Sequence, residues 1–136
     1  MITDSYIKMC DKARQLQRAW KPKDWDRFVY RDSEEMDIMM YLEEEYNRKE
    51  MIIINGVYIW LPTQEQLQEM MPKSDVTSLV EYIKNAELRY HDRFDENAVG
   101  YFTGTFISLT ELWLAFVMYE KYHKKWLTKE EKWYKI

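Results

Sequence analysis

Ile59-Trp60-Leu61-Pro62-Thr63-Gln64-Glu65-Gln66-Leu67-Gln68-Glu69-Met70-Met71 runs from an apolar strand straight into a capped helix. The residue before a proline is biased away from helical backbone, so Leu61 closes the strand and Pro62 holds the entry extended. Thr63 and Gln66 stand three apart, the spacing of a capping box. The hydroxyl takes the Gln66 amide, and the Gln66 side chain reaches back to the Thr63 amide. The predicted helix starts at Gln64 and ends near Met71, because Pro72 cannot continue it.

Upstream of this joint, Met51–Ile54 and Val57–Leu61 are β-rich runs linked by Asn55-Gly56, a strong short-range hairpin signal. Trp25–Tyr30 alternates apolar and polar residues and predicts a further short strand. Residues 4–20 read as a helix capped by Thr3 or Asp4, since Tyr6, Met9, Cys10, Ala13, Leu16 and Trp20 recur three and four apart and form one stripe. Residues 33–50 satisfy two patterns. Ser33 followed by a run rich in Met, Leu and Glu has helical propensity, and Ile38–Leu42 reads equally as a strand with Glu43-Glu44-Glu45 as its turn.

Downstream, Ser74 or Asp75 caps a second long helix that fades by Glu96, and the glycines at 100 and 104 mark a loop from Asn97 to Phe106. Ser108-Leu-Thr-Glu111 is another capping box, opening a helix from Leu109 to about Lys124. That helix is apolar nearly all round and therefore reads as the core helix. Beyond about residue 125 follows a basic, aromatic tail. The expected class is α+β: one domain over residues 1–136, with a small antiparallel sheet, including the Asn55-Gly56 hairpin, packed by N-terminal, central and C-terminal helices.

Three blocks carry a resemblance: Tyr6-Ile-Lys-Met-Cys-Asp-Lys-Ala13, Trp60-Leu-Pro-Thr-Gln-Glu-Gln-Leu-Gln-Glu-Met70 and Glu111-Leu-Trp-Leu-Ala-Phe-Val-Met-Tyr-Glu-Lys-Tyr122. Together they resemble small proteins encoded in phages and prophages of Gram-positive bacteria (Firmicutes). The resemblance implies a phage or prophage origin, a bacterial cytoplasm and strands within residues 33–50. It carries no catalytic residue and no cofactor.

Composition narrows the function classes. Hydrophobic residues are 46% and aromatic residues 16% of the chain, with 3 Gly and 3 Pro, which argues for an ordered globule. Six Trp and eleven Tyr exceed what a small core hides easily, so some are expected at the surface. Cys10 is the only cysteine, which excludes an internal disulfide and a cysteine zinc cluster. On the apolar stripe it reads as a small buried side chain. The N-terminus has no apolar run following a basic segment, and nowhere do 18 apolar residues run together, so neither a signal peptide nor a membrane span is expected, and the compartment expected is the cytoplasm.

The net charge of −4 is segregated. Residues 1–32 hold 8 basic and 5 acidic side chains, residues 33–120 hold 6 and 17, and residues 121–136 hold 6 and 2. The plain expectation is that basic ends fold against an acidic middle.

Catalytic chemistry finds little footing. There is no G-x-S-x-G elbow, phosphate-cradling glycine loop or dinucleotide fingerprint. Glu87-x-x-x-His91 and Glu120-x-x-His123 place a carboxylate and an imidazole on one helix face, yet a helical di-iron site needs two such Glu-x-x-His motifs and only one is present. No catalytic, cofactor or metal site is assigned. The tail interleaves cations and rings as single-strand binders do, which makes Lys124, Lys125, Lys129, Trp126, Trp133 and Tyr134 the candidate contacts to nucleic acid or a partner. The leading expectation is a non-enzymatic accessory protein working through a protein partner or self-association. Single-stranded nucleic-acid binding through the tail is the alternative.

Overall fold

The N-terminal stripe does what its spacing demands: Tyr6, Met9, Cys10, Ala13, Leu16 and Trp20 are all buried. The computed structural model describes residues 2–35, 37–53, 56–71 and 109–136. The helix expected from Ser74 or Asp75, the Asn97–Phe106 loop, Ser108 and the Glu87/His91 pair lie outside them. The stripe belongs to two helices, α1 (Asp4–Lys12) and α2 (Arg14–Arg18), separated at Ala13, whose ψ of 70° is not helical. Around the break the Cys10 carbonyl accepts both the Ala13 N–H and the side-chain amide of Gln17. The chain divides into two compact units, Cys10–Pro62 and Met1–Met9 with Thr63–Ile136.

The Cys10–Pro62 unit is built on a three-stranded antiparallel sheet in the order β2-β1-β3, with β1 Arg27–Tyr30, β2 Met39–Met40 and β3 Tyr58–Trp60. Phe28 stands opposite Trp60 and Met39, and Tyr30 opposite Tyr58. Period two therefore puts Phe28, Tyr30, Tyr58 and Trp60 on one face and Val29 and Ile59 on the other. The first face is an aromatic cluster, with Phe28 edge-on to Tyr30, Tyr46 and Tyr58 at 5.8, 5.4 and 5.6 Å and Trp20 stacked on Trp60 at 6.1 Å.

Of the two patterns in residues 33–50 the strand is the one formed: β2 lies within Ile38–Leu42, and Glu43-Glu44-Glu45 fall in the turn after it. Asn47, whose side chain accepts the amides of Lys49 and Glu50, then caps helix α3 (Arg48–Ile53). Because α3 extends through Met51–Ile53, that run is helical, and β3 pairs with β1 instead of with it. The predicted hairpin is thus a helix-to-strand connection. Gly56, at φ +116°, still supplies the positive φ that the Asn55-Gly56 signal called for.

In the other unit Thr3 caps α1, its hydroxyl accepting the Tyr6 amide and donating to buried Glu111 at 2.9 Å. Helix α4 (Gln64–Glu69) opens on the predicted box, with both the Gln66 amide to Thr63 Oγ1 and the Thr63 amide to Gln66 Oε1 made. It packs on α5 (Leu109–Tyr122), in which Trp113 to Met118 are buried without interruption. His123, at φ 55°, ends α5 with its amide on the Tyr119 carbonyl, a left-handed C-terminal stop. The expected tail is a hairpin of β4 (Lys124–Leu127) and β5 (Lys132–Lys135). The α+β class stands, with three- and two-stranded antiparallel sheets and helices. Among the described residues no helix is long and apolar enough to cross a membrane.

Candidate interaction surfaces

The C-terminal hairpin brings five of the six predicted contact residues onto its strands and sets Lys129 in the turn between them. Trp126 lies opposite Trp133, their rings 5.1 Å apart, and Trp126 is 3% exposed. Trp133 is half-buried and donates its indole N–H to the Met9 carbonyl at 3.0 Å. Both rings are therefore used inside the fold. Tyr134 carries Lys132 Nζ over its face at 4.7 Å and donates its hydroxyl to Glu130. The basic side chains Lys124, Lys125 and Lys129 stay on a hairpin whose rings are largely committed to packing. Glu120 and His123, the tempting pair on α5, are both exposed, and Glu87 and His91 fall outside the described residues.

A different surface emerges at the β2 edge. Trp25, expected as an apolar strand residue, is 69% exposed and holds a left-handed φ of 75°. Bulky residues avoid that region at a cost of order 1–3 kcal/mol, and they keep it where the surroundings over-determine it. Here the surroundings do. Asp26, 3% exposed, accepts the Trp20 indole N–H at 2.9 Å and the Lys23 amide at 3.2 Å, closing the Lys23–Asp26 turn. Asp24 accepts the Glu43 amide at 2.8 Å. The Trp25 amide donates to the Tyr41 carbonyl at 2.8 Å, extending the β1–β2 ladder past Arg27 and Met40. Asp26 takes the inward place that the alternation had given to Trp25, and the indole is displaced to solvent.

The next strand adds Met40 (51% exposed) and Ile38 (45%). β2 is an edge strand. Since Tyr41 directs both its N–H and C=O to the β1 side, antiparallel alternation turns those of Met40 to the open edge. The charge around them has one sign: residues 32–45 contain Asp32, Glu34, Glu35, Asp37, Glu43, Glu44 and Glu45 and no lysine or arginine, and these acids are exposed. Arg48 answers only Glu43, at 3.2 Å. Among the described residues the result is an exposed indole and two apolar side chains at an unpaired strand edge in an acidic field. Burial on the opposite, aromatic face pushes the phenol groups of Tyr46 and Tyr58 above their ordinary range, with neighbouring Tyr30 adding to it.

Comparison with protein-family models, with curated proteins and with solved structures finds no match to this chain.

Proposed function

We propose that this chain is a non-enzymatic accessory protein of phage or prophage origin, acting in the cytoplasm of a bacterial host by contact with another protein. The origin rests on the resemblance of the blocks at Tyr6–Ala13, Trp60–Met70 and Glu111–Tyr122. The contact reading is carried by one observation, the exposed, left-handed, hydrogen-bond-clamped Trp25 beside the free edge of β2. Tryptophan is favoured at binding hot spots because it offers a large rigid surface at little entropic cost.

Charge and edge together specify the occupant: an extended, lysine- or arginine-bearing protein segment with an apolar anchor, adding a strand beside Met40. Anisotropy of a labelled peptide alternating lysine with leucine tests this. The parent protein should bind it, more weakly as salt rises, and Trp25→Gly should bind at least roughly tenfold more weakly. That variant should melt at or above the parent temperature, because glycine accepts the left-handed φ. Equal binding by both proteins overturns the reading. So does a concentration-dependent dimer in light scattering that Trp25→Gly abolishes, since a second copy would then be the occupant.

The second reading, single-stranded nucleic-acid binding, is favoured by Lys124, Lys125, Lys129, Lys132 and Lys135 gathered on one hairpin. It predicts oligonucleotide binding at low salt that replacing Lys125 and Lys129 by glutamine weakens and that salt removes. The burial of Trp126 leaves this reading few rings on which bases could stack.

A further inference from the structure

Arg14 and Arg18 stand one helical turn apart on α2, both exposed, and among the described residues neither makes an ion pair or hydrogen bond. Like charges at this spacing destabilise a helix slightly, so the arrangement needs a reason other than the fold. Both line an open cavity of about 160 Å³ with Asp11, Gln17, Arg31 and Gly56. Arg31 is already held, Nε to Asp11 Oδ1 at 2.7 Å and Nη1 to the Gly56 carbonyl. Gly56 leaves room for this: a Cβ there would sit 3.1 Å from Arg31 Nη1, a tight contact from which the guanidinium would have to shift. Gln17 is likewise committed to backbone groups of Cys10 and Trp60.

The charge balance identifies the ligand. Asp11 neutralises Arg31, which leaves the two guanidiniums of Arg14 and Arg18 unanswered at the cavity. Guanidinium forks match the oxygens of a phosphate group. The volume is below the roughly 300 Å³ at which small-molecule pockets begin, so it suits a single tetrahedral oxyanion and not a whole nucleotide. We propose that this cavity binds a phosphate dianion, either inorganic phosphate or the phosphoryl end of a small phosphomonoester, between Arg14 and Arg18, with Arg31 as the fixed wall.

The site is independent of the Trp25 edge, and its test uses the full-length protein. Calorimetric titration with inorganic phosphate should show saturable binding, which Arg14→Gln/Arg18→Gln weakens by roughly tenfold or more. Phosphate should raise the melting temperature of the parent more than that of the double variant. This difference removes the general stabilisation that phosphate and sulfate give any protein. A control carrying Lys21→Gln/Lys23→Gln loses the same charge elsewhere on the unit and should keep the parent response. A phosphomonoester gains its second charge near pH 6 and inorganic phosphate about one unit higher, so the affinity of inorganic phosphate should rise between about pH 6 and pH 8 while that of sulfate, a dianion throughout, stays flat. Tighter binding of ribose 5-phosphate than of inorganic phosphate identifies the ester as the source, and the reverse identifies the free ion. Equal thermal responses of parent and double variant, or no saturable heat with phosphate, overturn the proposal.

Discussion

Three tryptophans in this chain have nearly the same chemistry and different roles, set by what surrounds each ring. Trp113 follows the start of α5 and is 2% exposed, edge-on to Phe116 at 5.6 Å. Its removal leaves a cavity that the apolar run Leu114–Met118 cannot close, so Trp113→Ala should cost on the order of 3–5 kcal/mol, a large part of what holds a domain of this size together. A thermal melt should find that variant largely unfolded, and a melt matching the parent would place the core elsewhere. A fully exposed tail would make Trp133→Ala nearly neutral, but Trp133 is half-buried, packs on Trp126 and donates to Met9. Its replacement should therefore cost an intermediate amount, about 1–3 kcal/mol, from the lost ring contact and the Met9 carbonyl left without its donor. Among the described residues Trp25 has neither burial nor a ring partner, and its loss should spare stability. A melting order of Trp113→Ala below Trp133→Ala below Trp25→Gly checks all three assignments at once.

At the scale of elements, the sequence was most legible where a local signal and the tertiary fold agree. The Thr63-Gln66 box forms both of its hydrogen bonds, and the stripe from Tyr6 to Trp20 is buried along its whole length. It was least legible where the deciding partner is remote. Nothing local to Gln17 announces that its amide will serve as a strand, yet Oε1 accepts the Trp60 N–H at 2.7 Å and Nε2 donates to the Trp60 carbonyl at 2.9 Å and to Cys10 at 3.0 Å. The side chain thereby fills the pairing position on the side of β3 away from β1 and ties α2 to the sheet. Gln17→Ala should strand buried backbone groups of Trp60 and cost on the order of 2–4 kcal/mol. Gln17→Glu keeps the acceptor for the Trp60 N–H but turns a carboxylate oxygen towards the Cys10 and Trp60 carbonyls, so it should fall no higher than alanine in denaturant midpoint. If the alanine variant keeps the parent midpoint, the amide does not hold this edge. The Met51–Ile53 run shows the same limit from the other side, since the Asn47 cap and the helix formers behind it outweigh three β-prone residues.

For the molecule as a whole, the surplus of aromatic residues was the most informative number in the composition, and its destination was only partly legible. The rings of the C-terminal segment, which the basic-aromatic pattern offered as contacts, are largely internal, whereas Trp25 came to the surface because buried Asp26 took its place in the alternation. Arg14 and Arg18 form no motif in the sequence, and only the fold sets Arg31 and Gly56 beside them. The tyrosines make a prediction for the entire folding equilibrium. Burial raises the phenol groups of Tyr46, Tyr58 and Tyr122 above the ordinary value of 10.0. The unfolded chain releases these protons near pH 10 while the folded chain still holds them, so above that pH the unfolded state binds fewer protons and stability falls as pH rises. The contribution is fully present below about pH 10 and is lost as pH climbs through the folded values. Urea midpoints measured upward from about pH 9 should hold level and then drop beyond about pH 10, together with the ultraviolet signal of tyrosinate. Lysines titrate in the same range, so the decisive comparison is with Tyr46→Phe/Tyr58→Phe, whose decline should be shallower. Parallel declines in the two proteins would mean that these phenols titrate in the fold as they do in the open chain.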